Sequence, residues 1–368
     1  MKHAILSMQR VVNFGSVLQA WSLREMIRDV TGETADFIDI ENTPALETLA
    51  DNKEKQEYGV TAKMSRSLLQ RGKRWCFTRL STWNKRKIRT FMEKTLRLDQ
   101  VQPDQRYDHV IIGSDEVFNH ACGVRLQLHG EVAQADRVLT YAASCGSARS
   151  EDIRREDLPR VREAMSRLQA VSVRDVGTAE YAAALWDGQP LRHMDPVLMG
   201  PLQGRKIRRV WLKKYLLVYA YGHRIRTDAE IDAIRSFARA KGLKTVAVGG
   251  SQFWCDLYIP ASPMRMLDWF ANADYVVTDT FHGVIFSVIH RCRFAAIIRP
   301  SNRNKLTSLL EDLSLEKRST ADMTRLAEIL EAPVDYDAVD GILTRERQRA
   351  QDYLKEQLCD VQGTHQAC

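Results

Sequence analysis

Residues 273–287 read Ala-Asp-Tyr-Val-Val-Thr-Asp-Thr-Phe-His-Gly-Val-Ile-Phe-Ser and decide the fold. The β-branched and aromatic run at 275–278 predicts a short strand, and the apolar run at 284–289 predicts a buried helix. A tight Asp-Thr-Phe-His-Gly turn joins the two. In a parallel α/β sheet such a turn lies at the carboxyl end of a strand, where ligands bind. The stretch therefore predicts a parallel sheet with a ligand site at this turn.

His282 stands at the mouth of that predicted site. The free amides at the start of the new helix favour an anion there. A structural interpretation competes with the functional one, because Asp279 or Thr280 could serve only as the helix N-cap while His282 packs beside it. The turn alone leaves both interpretations open.

Length and composition favour a globular protein of two domains. The chain has 368 residues, of which 44% are hydrophobic and 27% are charged, and a chain this long usually divides into two cores. The apolar run after Met1 stops at Gln9-Arg10, too early for a signal peptide or a membrane span. We therefore expect the protein in the cytoplasm.

The seven cysteines favour neither disulfides nor a metal site. They are odd in number, scattered, and never form a Cys-x-x-Cys pair. No cluster of His, Asp and Cys has the spacing of metal ligands. We expect reduced thiols and no tightly held metal or cofactor.

Strand and helix signals alternate along the chain twice, as in an α/β protein with two domains. An amphipathic helix is predicted at about 151–168, and the Gly-Pro-Leu-Gln-Gly segment is typical of a linker. A last helix is long enough to reach back across the first domain. The predicted boundaries are a first domain at 1–200, a second at 205–333, a C-terminal helix at 334–361 and a frayed tail at 362–368.

A basic helical insertion is predicted at about 61–94 within the first domain. It holds eleven Lys or Arg residues against the single Glu93, and Trp75, Phe77, Trp83 and Phe91 are interleaved with them. This pattern is typical of a helix that touches an anionic surface, although a solvated helix whose aromatic residues pack on the domain would look the same. No nucleic-acid module accompanies the basic run. We therefore predict peripheral contact with the cytoplasmic face of the inner membrane, and no nucleic-acid partner.

Several predicted strands end in small and polar residues. The first strand is followed by Asn13-Phe14-Gly15-Ser16, a turn before a helix that could hold a carboxylate or phosphate. It lacks the glycines of a dinucleotide fingerprint and the Lys of a P-loop. Later strands end at Ser114-Asp115-Glu116, Ser144 and Arg174. These side chains are therefore candidates for a shared site.

Six short motifs, taken together, resemble the polysaccharide pyruvyl transferase family over about residues 10–318. They are Asn-Phe-Gly-Ser-Val-Leu-Gln-Ala (13–20), Val-Ile-Ile-Gly-Ser-Asp-Glu-Val-Phe-Asn (110–119), Tyr-Ala-Ala-Ser-Cys-Gly (141–146), Val-Ser-Val-Arg-Asp (171–175), Asp-Pro-Val-Leu (195–198) and Val-Val-Thr-Asp-Thr-Phe-His-Gly (276–283). The resemblance implies a GT-B-like fold, in which two Rossmann-like domains face a central cleft. It also implies transfer of pyruvate from phosphoenolpyruvate, as co-substrate, to two hydroxyls of a sugar, forming a ketal and releasing phosphate. The implied acceptor is a cell-surface glycan or its precursor, either a free saccharide or a lipid-linked oligosaccharide.

Such a reaction needs a proton donor and a proton acceptor beside the donor's anionic groups. His282 is the predicted acid/base, because an imidazole can both give and take a proton. Asp279 could orient that imidazole or take a proton itself. Arg174 suits the phosphate and carboxylate of phosphoenolpyruvate, unless it serves only a salt bridge. The wider prediction places the donor at Asn13, Gly15, Ser16, Thr280, Arg303 and Lys305, and the acceptor at Ser114, Asp115, Glu116, Asn119 and Ser144.

This sequence departs from the family at Thr280, where some members have an Arg expected to meet the donor. Either the Asn13 turn with Arg174 suffices, or Arg303 and Lys305 take over, or the donor differs. Glu116 and Phe118 stand where Gln and Trp are more frequent. Two other functions stay open, namely a GT-B glycosyltransferase that uses a nucleotide sugar and a carbohydrate-binding relative without catalysis.

Overall fold

The computed structural model describes residues 1–49, 68–100, 105–120 and 123–359. Within them the chain forms two parallel sheets with helices packed on their faces. The predicted α/β fold with two Rossmann-like domains facing a cleft, of the GT-B type, is confirmed. Most strands are buried on both faces, which explains their continuous apolar sequences.

The first sheet has the strand order β2-β1-β3-β4-β6-β7, with β5 also paired to β4, and every pairing is parallel. Its core combines aliphatic residues of β1, β3 and β4 with the faces of the covering helices. The strands are β1 (His3–Leu6), β2 (Asp36–Ile38), β3 (Tyr107–Asp115), β4 (Ala135–Ala143), β5 (Leu168–Ala170), β6 (Ser172–Val173) and β7 (Leu191–Arg192).

The helices of the first half are α1 (Phe14–Thr31), α2 (Leu68–Phe91, continued by a π-helical turn over Met92–Leu96), α3 (Leu158–Ser166), α4 (Val176–Ala183) and α5 (Pro196–Met199). The helix predicted at about 151–168 is shorter than expected. It begins beside Pro159, which has no amide hydrogen to donate and therefore suits a first turn. Residues Ser150–Asp152 form a separate 3₁₀ turn.

The second sheet has the order β10-β9-β8-β11-β12-β13, again parallel throughout. Its strands are β8 (Tyr215–Ala220), β9 (Lys244–Gly249), β10 (Leu257–Tyr258), β11 (Tyr275–Thr278), β12 (Phe294–Ile297) and β13 (Ser319–Thr320). The helices are α6 (Asp228–Ala240), α7 (Pro263–Ala271), α8 (Phe281–Ile289), α9 (Arg303–Asp312), α10 (Leu326–Glu331) and α11 (Tyr336–Leu358).

Helix α11 crosses from the second domain to the first. Near its start, the Tyr336 hydroxyl donates to the carbonyl of Cys292 in the second domain. Towards its end, the Tyr353 hydroxyl donates to the carbonyl of Thr140, in strand β4 of the first sheet. The predicted return of the C-terminal helix to the first domain is therefore observed, and the helix connects both domains.

Helix α2 also contacts both domains. Phe77 packs in the core of the second domain, whereas Ile88 and Phe91 join the larger core that includes α1. The side chain of Asn84 accepts a hydrogen bond from the amide of Ala261. The predicted basic helix is thus present from Leu68 onward, while residues 61–67 lie outside the described part of the chain.

The described residues contain no helix that is long and apolar enough to cross a membrane. They also contain no group of three or more His, Cys, Asp or Glu side chains placed to hold a metal ion. Five cysteines are described, and all are free thiols.

Candidate functional site

A cleft lies between the carboxyl edges of the two sheets. Its cavity of about 300 Å³ is at the small end of the range for ligand sites. The first domain contributes residues from the turn before α1 and from the ends of β3 and β6, and the second contributes residues from the ends of β8, β9 and β11. Helix α2 closes one side with Ser81, Asn84, Lys85 and Ile88.

The turn between β11 and α8 is built around threonine hydroxyls. The Thr280 hydroxyl accepts a hydrogen bond from the amide of Gly283 (3.0 Å), and it is 3.1 Å from the hydroxyl of Thr278. Gly283 is required here, because a Cβ atom would lie 2.0 Å from the Thr278 oxygen. Thr280 is therefore the N-cap of α8, and Asp279 is not.

His282 reaches across the cleft to the first domain. Its Nε2 lies 3.6 Å from Oδ2 of Asp195, and its Nδ1 lies beside Gly15 in the first turn of α1. A Cβ atom on Gly15 would be 2.2 Å from that Nδ1. The glycine predicted as part of an anion-holding turn thus leaves room for the imidazole ring.

Asp195 connects His282 to Arg174. Its carboxylate is buried, forms an ion pair with Arg174 at 3.1 Å, and accepts the amide of Val197 at the start of α5. Burial raises the pKa of this carboxyl, but His282 and Arg174 outweigh that effect and hold the pKa below its usual value. Asp195 is therefore a fixed negative charge beside the imidazole.

Arg174 is both a salt-bridge residue and a residue of the cleft. Its guanidinium stacks at 4.1 Å over the ring of Phe281, and only 3% of its side chain is exposed. Burial alone would lower its pKa, whereas Asp195, Asp115 and other carboxylates raise it above the ordinary value. Both predicted roles of Arg174, binding the donor and forming a salt bridge, therefore agree with its position in the cleft.

Asp279 does not orient His282, contrary to one of the two roles predicted for it. Its Oδ2 accepts from Nε of Arg299 at 2.8 Å and lies 3.9 Å from Arg224. Its Oδ1 is buried at the wall of the cleft and has no hydrogen-bond partner among the described residues. Burial raises the pKa of Asp279, and the two guanidinium groups oppose that rise. The alternative role, taking a proton, stays a prediction.

The turn before α1 is tied to strand β3. The Asn13 side chain caps α1 by accepting the amide of Ser16, and the Ser16 hydroxyl donates to Asp115 at 2.6 Å. Asn13, Gly15, Ser16 and Asp115 all line the cleft. The first two amides of α1 have no partner within the helix by their position, and they could meet an anion.

A salt bridge links the two domains at the edge of the cleft. Nζ of Lys305 in α9 lies 2.7 Å from Oε1 of Glu116, and Oε2 of Glu116 accepts from the Asn119 amide. Burial raises the pKa of Glu116, but Lys305 and Asn119 together lower it to about 2. Lys305 therefore reaches the cleft, as predicted, with its charge already paired.

Four predicted site residues lie outside the lining of the cleft, and one of them, Asn119, lines a second cavity beside it. Ser114 is fully buried and its hydroxyl donates to Gln19, while the Ser144 hydroxyl donates to Asp175. Both belong to the packing beneath the strand ends, because alternate residues of a strand point to opposite faces. Arg303 is exposed in the first turn of α9. The catalytic and binding roles of the other predicted residues stay predictions.

The sequence prediction missed Asp195, Arg224 and Lys85. Asp195 was inside the quoted Asp-Pro-Val-Leu motif, and its position before a proline could have marked it as a helix cap. Arg224 follows β8 at the carboxyl edge of the second sheet, which was a usable signal. Lys85 gave no such signal, because its place in the cleft depends on how α2 packs.

A second cavity of about 400 Å³ opens beside the first, towards β2 and β3. Tyr221, which is 46% exposed, lines both cavities, and its ring is parallel to that of His223 at 5.8 Å. Asp115, Glu116 and Asn119 line the second cavity as well. This space combines an aromatic surface with carboxylate and amide groups.

Comparisons with known proteins give one family and several structural relatives. A family model described as polysaccharide pyruvyl transferase matches residues 13–301. A search of curated protein sequences finds no match. The UDP-GlcNAc 2-epimerase from Neisseria meningitidis bound to UDP-GlcNAc is 9% identical, with 97% of this chain and 99% of that chain covered and a TM-score of 0.48.

Two further solved structures match at similar values. The UDP-GlcNAc 2-epimerase from Methanocaldococcus jannaschii in complex with UDP-GlcNAc and UDP is 8% identical over 94% of this chain and 99% of that chain, with a TM-score of 0.47. The glycosyltransferase SsfS6 from Streptomyces sp. SF2575, complexed with thymidine diphosphate, is 11% identical over 97% of this chain and 99% of that chain, with a TM-score of 0.48.

Proposed function

Because the chain belongs to the polysaccharide pyruvyl transferase family, we propose that it moves pyruvate from phosphoenolpyruvate onto two hydroxyls of a saccharide. The product is a ketal, and phosphate is released. The observation that carries the proposal is the contact of His282, from the second domain, with Asp195 of the first, beside Arg174. This contact places a group that exchanges protons next to a cation in a cleft of suitable size.

The donor's phosphate and carboxylate need positive charge, and the cleft supplies it without an Arg at position 280. Arg174, Arg224, Lys85 and Lys305 line the cavity. Arg174 and Lys305 lie 3.1 Å and 2.7 Å from their carboxylate partners, whereas Arg224 lies 3.9 Å from Asp279. Arg224 and Lys85 are therefore the cations with more freedom to meet the donor. The amides at the start of α1 add a further anion-binding group.

The proposed reaction is balanced in protons and bonds. His282 protonates the methylene carbon of phosphoenolpyruvate, and the oxygen of the first sugar hydroxyl bonds to the neighbouring carbon and loses its proton. The bond from that carbon to the phosphate oxygen then breaks, and the second hydroxyl bonds in its place. The two sugar hydroxyls release two protons. One replaces the proton that His282 gave to the methylene carbon, and the other leaves with the phosphate.

In this scheme Asp195 positions the imidazole, since its ionised carboxylate lies 3.6 Å from Nε2 of His282. The Nδ1 side, next to Gly15, faces the first turn of α1 and is the side assigned to substrate. Asp279, with one unpartnered oxygen and a raised pKa, is the second candidate for a proton transfer. A positioned acid or base contributes typically a hundredfold to ten-thousandfold to the rate.

The acceptor saccharide is assigned to the second cavity. A sugar ring can lay its apolar face on the exposed Tyr221 ring while its hydroxyls meet Asp115, Glu116 and Asn119. The acceptor belongs to a cell-surface glycan or its precursor, as the family implies. The reaction then takes place in the cytoplasm, where phosphoenolpyruvate is available.

Donor binding tests the proposal directly. Phosphoenolpyruvate should raise the unfolding temperature of the purified protein, because a ligand at 100 times its dissociation constant adds ~2.7 kcal/mol to the folded state. The shift should shrink in Arg224→Met and persist in Arg303→Met, a matched control that removes an exposed Arg outside the cleft. His282→Ala should keep the shift but lose phosphate release in the presence of acceptor. Stabilisation by UDP-sugars alone would overturn the proposal in favour of a glycosyltransferase.

A further inference from the structure

Helix α2 carries a concentration of positively charged side chains. The sequence of this helix holds eight Lys or Arg residues and no Asp or Glu. Within residues 72–91, whose side chains the structure describes, none of these bases forms an ion pair with a carboxylate of another described residue. Such a concentration of like charge destabilises an isolated helix. Helix stability therefore does not explain this composition.

The charged face lies opposite the packed face. Phe77, Asn84, Ile88 and Phe91 are buried and form one stripe along the helix. At 100° per residue the opposite side carries the exposed residues Trp75, Arg79, Trp83, Arg86 and Arg89. We call these five residues the outer face of α2.

The outer face presents two large aromatic side chains to solvent. Trp75 is 64% exposed and Trp83 is 51% exposed. The guanidinium of Arg79 lies 5.1 Å from the ring centre of Trp75, and Nζ of Lys87 lies 4.5 Å from that of Trp83. Indole rings paired with nearby cations suit the interface of a bilayer, where tryptophan is enriched and anionic lipids attract Lys and Arg.

We propose that the outer face of α2 binds the surface of a bilayer that contains anionic lipids. Charge complementarity selects this partner, and the two indoles add the apolar contact that a purely electrostatic surface would lack. The proposal does not rest on the reaction assigned to the cleft. It does have a consequence for that reaction, because Asn84 and Ile88 on the inner side of the same helix line the cleft. A bilayer-bound protein therefore holds its cleft beside the membrane, where a lipid-linked saccharide would present its sugar.

Vesicle sedimentation with the whole protein tests this inference. Vesicles of phosphatidylcholine with a third phosphatidylglycerol should sediment the protein at low salt, and vesicles of pure phosphatidylcholine should not. Binding should fall steeply with added salt, because surface charges are screened. Equal binding to both kinds of vesicle would overturn the proposal.

Substitutions locate the contact on the helix. Arg79→Gln/Arg86→Gln/Arg89→Gln should weaken binding by about a hundredfold, at roughly fivefold for each charge near an anionic surface. Trp75→Ala/Trp83→Ala should also weaken binding, with an unchanged unfolding temperature confirming the fold. The matched control is Arg155→Gln/Arg160→Gln, two exposed bases near and on α3, which should leave binding within about twofold. A control that loses as much as the triple variant would overturn the assignment to α2.

Two competitors separate the bilayer from other anions. Glycerol phosphate at millimolar concentration should not release the protein from vesicles, since a free headgroup offers neither a charged plane nor an apolar interface. A single-stranded oligonucleotide should bind more weakly than the vesicles, as measured by fluorescence anisotropy at the same salt concentration. Tighter binding to the oligonucleotide, lost in the Trp75→Ala/Trp83→Ala variant, would overturn the proposal in favour of a nucleic-acid surface.

Discussion

The contact between His282 and Asp195 joins two side chains that the chain places in different domains. In the proposed reaction the imidazole gives and takes protons, while Asp195 holds a negative charge beside it. Asp195 is itself held in place by Arg174 and by the amide of Val197. We therefore assign it a positioning role that acts through His282.

Asp195→Asn should lower kcat more than it changes the KM for phosphoenolpyruvate. The reason is that the amide keeps the hydrogen-bonding shape but removes the negative charge beside His282. Asp175→Asn is the matched control, since Asp175 is a buried carboxylate that caps α4 and bonds Ser144 and Thr178. An equal loss of kcat in Asp175→Asn, or a change in KM as large as the change in kcat, would show that Asp195 has a structural role alone.

Gly15→Ala should reduce turnover by about a hundredfold or more, since misplacement of a catalytic group by about 1 Å has an effect of that order. The added methyl would lie 2.2 Å from Nδ1 of His282, so the imidazole has to move. Steady-state phosphate release measures the effect. Gly72→Ala provides the control, because its added methyl has no described atom within 4 Å beyond its chain neighbours and the backbone of its own helix, and alanine favours a helix. Unchanged turnover in Gly15→Ala would contradict the placement of His282.

Some of the site could be predicted from single residues and some could not. His282 and Asp115 follow strands, and the carboxyl ends of parallel strands meet at one edge, so their convergence was predictable. The pairing of Asp279 with Arg299, instead of with His282, could not be predicted, because it depends on the direction of the side chain at the turn. Ser114 and Ser144 were misplaced for a related reason, since a strand alternates its faces and the sequence does not say which face is open.

At the scale of secondary structure, the turn from β11 to α8 depends on a single hydroxyl. Thr280 caps the helix that carries His282, and this explains why a threonine is useful at a position that carries Arg in some family members. In the proposed function, the charge that is missing here comes from two other residues that line the cleft, Arg224 after β8 and Lys85 on α2.

Thr280→Val should lower the free energy of unfolding by ~1 kcal/mol, as expected for loss of a helix N-cap. Valine keeps the shape of threonine but cannot accept the amide of Gly283. Urea unfolding at neutral pH measures the difference. Thr280→Ser should restore most of the loss because it retains the hydroxyl, and a serine variant as unstable as the valine variant would indicate that the methyl group, not the cap, is responsible.

Most helices and strands agree with the sequence patterns, because long apolar runs and strong periodicity set them locally. The helix predicted at about 151–168 is an exception, because it is shorter in the structure. The pattern of apolar residues continued through this stretch, but Pro159 fixed the start of α3 and the preceding residues formed their own turn. The contacts of α2 with both domains could not be predicted from the sequence either, since they arise from packing between distant segments.

At the scale of the whole molecule, the two domains are joined by polar contacts at the cleft and by helices behind it. The pair formed by Glu116 and Lys305 bridges the cleft directly. Its strength depends on pH, because Lys305 and Asn119 lower the pKa of Glu116 to about 2 against the effect of burial.

Glu116→Gln should destabilise the protein by an amount that is constant at neutral pH and shrinks as the pH falls below ~4.3. A carboxyl whose pKa is lower in the folded state stabilises that state at pH values above the unfolded pKa. This contribution is lost as the pH falls through the folded value of about 2. Urea unfolding midpoints of the variant and the wild type, compared between pH 7 and pH 3.5, measure it. Lys305→Met should reduce the pH-dependent part to the share that Asn119 contributes, and a penalty for Glu116→Gln that is the same at pH 3.5 and pH 7 would refute the pairing.

The crossing of α11 back to the first domain has a consequence for how such enzymes can be recombined. The second sheet comes from one uninterrupted segment of chain, so crossovers near residues 204 and 335 would exchange it as a single cassette. The exchanged cassette has to receive Phe77 of α2, which packs against Phe253 and Tyr258. His282 lies within the exchanged cassette, whereas Asp195 lies outside it. We therefore expect a chimera of two related proteins to be active only when the halves contributed by each parent restore the pair of His282 and Asp195, which would make the cleft a test of compatibility between lineages.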